Sequence, residues 1–342
     1  MTLNVTNVNT GFEMRAVAYS EFGPAKDVLF HTDIPVPTPG KGEVLIEIYF
    51  SGVNPSDAKA RAGNRPGMKK PEFERIIPHS DGSGVVTAVG QGVSKERVGK
   101  RVWVWNGQWK RDSGTAAEFI ALPSEQAVDM PDNMSFQTGA CLGIPGLTAS
   151  YCTLGKGPLS GKTVLISGGA GAVGHNAVQL AKWAGATVIS TGSPNTFNHI
   201  TSAGADNVFD YRDTNLVRKI LSIYPLGIDL VVEVEFGENI NLLHQVLKPN
   251  GIISVYGSAK NMNPSFDFAP YLFKAITIDV SLIYILSDKL RELSIKALHD
   301  AYHERGFRPV VDKVFDMEHC ATAHDAVLTS GRKGAILLTV KQ

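Results

Sequence analysis

Residues 163–174 read Thr-Val-Leu-Ile-Ser-Gly-Gly-Ala-Gly-Ala-Val-Gly, and no other stretch restricts the fold of this chain so tightly. Thr163–Ser167 is a short apolar, β-branched run of the kind buried on both faces of a parallel sheet. Glycines follow at 168, 169, 171 and 174, and His175–Gly185 then takes up helical spacing. A turn of this kind aims backbone N–H groups and the positive end of a helix at one spot, where a phosphate is stabilised. Residues without side chains let a pyrophosphate come within reach of those groups. Gly169-Ala-Gly171-Ala-Val-Gly174 satisfies the GxGxxG spacing, which by itself also occurs in tight turns that bind nothing. The strand before it and the helix after it supply the context that points to a dinucleotide.

The rest of the chain fits around that unit. From Arg15 to about Leu122, short β-type runs alternate with turn residues, as in a small antiparallel, barrel-like domain. From about Gly161 the rhythm becomes strand, helix, strand, with strands at Val164–Ser167, Thr187–Thr191, Asn207–Phe209, Asp229–Glu233 and Gly251–Tyr256. That alternation is the mark of a doubly wound α/β sheet. An amphipathic helix is expected around Ser287–His303. Lys+Arg and Asp+Glu balance at 33 each in 342 residues, so no bulk field draws nucleic acid or an anionic membrane. Cys141, Cys152 and Cys320 are too few and too scattered for a disulfide framework or a structural zinc site. Met1–Glu13 lacks the apolar core of a secretory signal, and a reducing, cytoplasmic setting is the expectation.

Six motifs in order carry a resemblance over about Met14–Val340. They are Gly52-Val-Asn-Pro-Ser-Asp57, Asp81-Gly-Ser-Gly-Val-Val86, Ala88-Val-Gly90, Gly99-Lys-Arg-Val102, Gly114-Thr-Ala-Ala-Glu-Phe119 and Gly143-Ile-Pro-Gly-Leu-Thr-Ala149. Together they resemble the zinc-free medium-chain dehydrogenase/reductases, closest to the zeta-crystallin-like quinone oxidoreductases. The resemblance implies a GroES-like catalytic domain over residues 1–145, completed by 286–342, and an NADPH-binding Rossmann domain over 146–285. It places the active site between the two. Where zinc-dependent members carry their first cysteine and their histidine, this chain has Asn54 and Ser80, with His79 one residue out of register. No metal is therefore expected, and His79 reads as a loop or core histidine.

Cofactor contacts implied by the resemblance are Asn54, Thr148, Ala170, Gly171, Ala172, Val173, Ser193, Tyr211, Asn239, Tyr256, Gly257, Ser258, Ala259 and Leu282. Asn54 and Thr148 would flank the nicotinamide, although a turn asparagine before Pro55 and a threonine opening a helix are plain alternatives. Core packing is the alternative for Tyr256 and Leu282. Many members carry two tyrosines after the Asn-Pro motif; Lys59 and Arg65 stand there, so no catalytic acid is assigned. Trp103 and Trp105 alternate onto one strand face, as a core-facing pair or as an aromatic wall for a flat acceptor with Trp109.

The implied activity is NADPH-dependent reduction of quinones or of conjugated enones and alkenals. The alternatives are a 2-enoyl thioester reductase and a structural or RNA-binding crystallin-type role. No acidic residue closes the second strand at Val188–Asn195, which favours NADPH over NADH. The apolar run Ile276–Ile285 would be an aggregation hazard as a bare edge, so a homodimer is expected through it, with a tetramer as the alternative assembly.

Overall fold

In the computed structural model, which describes residues 11–64 and 67–341, the chain divides into two units. One comprises the chain up to Gly143 with Lys313–Thr329 and Ile336–Gln342; the other comprises Ile144–Asp312 with Ser330–Ala335. Before Gly143 run β1 (Glu13–Ala18), β2 (Phe30–Pro35), β3 (Glu43–Val53), β4 (Asp81–Val89), β5 (Arg101–Val104), β6 (Phe119–Pro123) and β7 (Ala127–Asp129). Then come β8 (Thr163–Ile166), β9 (Thr187–Gly192), β10 (Asn207–Asp210), β11 (Ile228–Glu233), β12 (Leu247–Val255) and β13 (Thr277–Val280), and finally β14 (Val311–Asp316) and β15 (Ala335–Thr339).

In the first unit the sheet path is β14-β15-β3-β4-β5-β7, with β6 also on β3 and a separate β1–β2 pair. Alternation along β3 sends Val44, Ile46 and Ile48 into a core shared with Val86, Val102, Val104, Ile120 and Leu122. The helix Cys320–Leu328 closes that core with Cys320, Ala323 and Val327. Trp103 is fully buried, and β5 ends at Val104, so Trp105 lies beyond the strand and donates its indole N–H to the Glu125 carbonyl at 3.2 Å. The tryptophans therefore do not form the one-faced strand pair that alternation suggested.

The second unit holds a parallel sheet in the order β10-β9-β8-β11-β12-β13. The chain steps outward from β8 through β9 to β10, then crosses back to lay β11 on the other side of β8. That reversal is the topological switch point at which doubly wound sheets bind ligands. Its core is aliphatic, with Leu165, Ile189, Val231 and Ile253 from the strands against Ile240, Leu243 and Val246 of the helix Phe236–Val246.

Three boundaries differ from the sequence reading. The helix after the glycine turn is Ala172–Trp183, starting three residues early because Gly171 is its extended N-cap. Within Ile276–Ile285 only Thr277–Val280 is a strand; Ser281 still donates to the Val255 carbonyl at 2.7 Å before a short turn at Ile283–Ile285. The return to the first unit comes at Lys313, not at 286. The cause is the helix Asp288–His303, which buries Arg291, Ser294, Leu298 and Ala301 and packs on the helix Leu147–Thr153, where Ser150 Oγ donates to the Ser294 carbonyl at 3.2 Å. Among the described residues no helix is long and apolar enough to cross a membrane.

Candidate cofactor site

The glycines of the turn are there for different reasons. Gly168 has a φ of +70°, the left-handed region that favours glycine. Gly169 donates its N–H to the Thr191 carbonyl at 3.0 Å, and a Cβ on it would strike the Ser190 side chain. At Gly174 a Cβ would strike the Gly168 carbonyl, so this residue lets helix and turn close on each other. Gly171 is unlike them. A Cβ there would have a single neighbour within 4 Å, the Gly168 oxygen at 3.9 Å. Its φ of −73° and ψ of 169° suit any L-residue. The fold does not need glycine at 171. The space beside it is open, at the N-terminus of a twelve-residue helix, as a phosphate cradle requires.

Because all six strands of this sheet are parallel, their C-terminal ends share one edge, and most of the residues singled out from sequence lie on it. Ala170–Val173 follow β8, Ser193 follows β9 and Tyr211 follows β10. Asn239 stands in the helix after β11, Tyr256–Ala259 follow β12 and Leu282 follows β13. Ser193 Oγ donates to Asn195 Oδ1 at 2.6 Å. Tyr211 is 52% exposed, while Arg212 is held by Asp210 through bonds of 3.0 and 2.9 Å. Tyr256 is half-buried, and desolvation of its phenol raises its pKa well above the usual range. Ser258 Oγ accepts the Gly237 N–H at 2.8 Å, and Leu282 is half exposed.

Thr148 is buried in the helix Leu147–Thr153 of the same unit. Asn54 belongs to the first unit, where it N-caps the helix Pro55–Arg61. Its backbone N–H donates to Asp57 at 2.8 Å and its Nδ2 to Asp81 at 2.7 Å. The amide is thus already engaged within its own unit. Lys59 is half-buried on that helix, and Arg65 lies outside the described residues.

Two features on the sheet edge escaped the sequence reading. Glu233, fully buried at the end of β11, accepts from Ser167 Oγ (2.6 Å), the Glu235 N–H (2.6 Å) and Asn239 Nδ2 (3.0 Å). Burial raises its pKa, and these three hydrogen bonds oppose the rise. Its carboxylate fixes the residues that follow β8 and β11. The second feature is Ser330–Ala335, where Gly334 bridges Gly171 and Gly331 lies beside Asn195. This loop brings Arg332 and Lys333 to the glycine turn. Burial first, and the Lys333 charge second, lower the pKa of the His199 imidazole. His199 stacks on His175 with ring centroids 4.3 Å apart. A basic pair flanked by glycines was the available signal.

Comparison with known proteins agrees with this geometry. Residues 40–132 match the family model described as alcohol dehydrogenase GroES-like domain, and 172–300 match zinc-binding dehydrogenase. The quinone oxidoreductase of Rattus norvegicus is 30% identical over 332 residues, covering 95% of this chain and 97% of the rat protein. A mycobacterial protein solved in complex with NADPH superposes with a TM-score of 0.84 at 26% identity, covering 95% of this chain and 99% of its own. A human synaptic vesicle membrane protein VAT-1 homolog-like protein gives 0.82 at 26% identity over 97% and 99% of the two chains. A GroES-like unit joined to a parallel dinucleotide sheet with this strand order defines a medium-chain dehydrogenase/reductase. The chain belongs to the quinone oxidoreductase family of that superfamily and is an oxidoreductase.

Proposed function

We propose that the protein reduces quinones or conjugated enones and alkenals at the expense of NADPH. The observation that carries this reading is the open space at Gly171, a cradle that a side chain would fill and that the fold itself does not require. Ala170–Val173 would hold the pyrophosphate through their backbone, with Ser193, Asn195, Tyr211 and Lys333 toward the adenosine 2′-phosphate. The bound dinucleotide supplies a hydride. The chain's own part is to orient the nicotinamide against a flat acceptor and keep water away. A conjugated acceptor spreads the incoming electron density, so the absence of zinc-ligand side chains at Asn54 and Ser80 is no handicap. The names of its relatives support a quinone as acceptor. The test is NADPH consumption across quinones, alkenals and enoyl thioesters, with and without a zinc chelator. Turnover with quinones or alkenals, unchanged by the chelator, is expected; turnover with thioesters alone would refute the assignment.

NADPH should be preferred over NADH. No carboxylate stands at the end of β9 to repel a 2′-phosphate. One charge-assisted hydrogen bond contributes about 1.5–3 kcal/mol, roughly 10- to 150-fold in affinity. Tyr211→Phe should weaken NADPH more than NADH; equal specificity constants for the two cofactors in the wild type would refute the preference.

A homodimer is part of the same proposal. β13 is the terminal strand of its sheet, and Val280 on it is 74% exposed. Phe268, Leu272, Phe273 and Ile285 are exposed around it. An apolar edge of this kind invites pairing with a second copy. Light scattering at micromolar concentration should give twice the chain mass, and Val280→Lys should shift it toward the monomer. A monomeric wild type would rule the dimer out.

A further inference from the structure

Three side chains remote in sequence converge in the interior of the first unit. His79, Cys320 and His324 each offer a ligand atom, all within 4.8 Å of one another. None of the three residues is more than 1% exposed. Cys320 and His324 stand four apart on the helix Cys320–Leu328 and so share a face. His79 comes from the segment before β4, its Nδ1 2.9 Å from Ser51 Oγ and its Nε2 2.9 Å from the Nε2 of His324.

Two features of this cluster are costly as they stand. His79 has a φ of 79°, in the left-handed region that residues with side chains rarely adopt. Such strain gathers at functional sites. The facing imidazoles can share only one proton between their Nε2 atoms. An ion between the imidazoles would remove the need for that shared proton and would give the strained loop a role.

We propose that His79, Cys320 and His324 form a closed, three-ligand site for a cuprous ion. Two imidazoles and one thiolate in a trigonal array suit copper, whereas structural zinc sites take four ligands. Charge balance favours the same ion. Asp57 and Arg61, the charged groups that act on Cys320, are both buried and carry opposite charges. A thiolate and a cuprous ion also cancel, while a divalent ion would leave a net positive charge in a sealed interior. Binding forms two metal–nitrogen bonds and one metal–sulfur bond, and the thiol proton leaves to solvent with no change of oxidation state. Metal–ligand bonds of about 2.0–2.3 Å put ligand atoms roughly 3.5 Å apart, so the imidazoles need to part by roughly half an ångström. The site shares no residue with the cofactor-binding edge and uses neither Asn54 nor Ser80.

The test is an anaerobic titration of the intact protein with cuprous ion buffered by a chromophoric cuprous chelator, with zinc titrated in parallel. One cuprous ion per chain is expected, not displaced by an equal concentration of zinc. Cys320→Ser keeps the side-chain volume and the imidazole pair, and should weaken binding at least about 100-fold, beyond the usual effect of losing an outer-shell partner. Cys141→Ser and Cys152→Ser should leave binding unchanged. Should Cys320→Ser fail to fold, His79→Asn, which tolerates the left-handed backbone, is the second variant and should lose the ion likewise. Absence of stoichiometric binding, cuprous binding that survives both substitutions, or preferential uptake of zinc would each overturn the proposal.

Discussion

Gly171→Val should abolish high-affinity NADPH binding while leaving the folded protein intact. A Cβ at 171 meets only one atom, at 3.9 Å, and the backbone there is extended. The new Cβ therefore meets no clash within the chain, in contrast to Gly169 and Gly174, whose added Cβ atoms would collide with the Ser190 side chain and the Gly168 carbonyl. What the valine occupies is the approach to the amides of the turn and of the helix Ala172–Trp183. Holding the pyrophosphate off by a methyl-sized layer forfeits at least one or two charge-assisted hydrogen bonds. Each is worth about 1.5–3 kcal/mol, so the loss is at least roughly 10-fold in affinity for one bond and roughly 100-fold or more for two. Calorimetry should show this for NADPH, with a circular dichroism spectrum like that of the wild type. Near-native affinity in the folded variant would remove the main support for the cofactor site.

Acid should unfold the protein well before its carboxylates are all protonated. Burial holds the imidazoles of His175 and His324 at about 4 and about 3, and lowers that of His79 well below the usual value. The like-charged ring of His199 adds to the shift at His175, and Arg61 adds to that at His324. A folded-state pKa below the unfolded value of about 6.5 means that the unfolded chain binds the proton first. The stability these histidines contribute is present above pH 6.5 and is lost as pH falls toward the folded values. Each costs about 1.4 kcal/mol per pH unit in that window. His175 and His324 together over two units amount to roughly 6 kcal/mol, comparable to a whole domain's stability, and His79 acts in the same direction. Denaturant midpoints should be flat from pH 8 to 6.5 and then fall steeply, and His175→Gln should shallow the slope by about one proton. A midpoint unchanged down to pH 4.5 would contradict the burial of these rings as neutral species.

The glycine turn and the βαβ rhythm could be read from sequence because both are local. Periodicity and glycine spacing act within a dozen residues, and Thr163–Gly174 carries the whole strand-to-glycine pattern. The residues at the strand ends were found through the resemblance, and the parallel sheet gathers them on one edge whatever lies between them. Partners distant in sequence were not legible. Glu233 closes an apolar strand, and nothing near it announces that Ser167 will meet its carboxylate. The convergence of His79 with Cys320 and His324 needs the pairing of β3 with β4 and the docking of the helix Cys320–Leu328 on the same core. The unit to which the helix Asp288–His303 belongs depends on which surface buries its apolar face, and an amphipathic pattern does not name its partner. The tryptophans show the opposite error: alternation extended β5 one residue past its end at Val104.

The pairing of β15 with β3, which sets Ile336 against Val53, bears on how the protein is made. A ribosome delivers β3 and β6 long before β15, so for most of that interval the Phe50–Val53 end of β3 lacks its edge partner while β6 already holds Glu43–Glu47. Ile144–Asp312, by contrast, is a continuous stretch that can begin to fold while synthesis continues. Even there the glycine turn waits for Gly334. A nascent chain stalled anywhere before β15 therefore presents an unpaired strand edge, the kind of surface that aggregates or is captured by quality control. β15 thus acts as a checkpoint in synthesis: only a chain translated through β15 can seal the first unit and close the loop against the glycine turn.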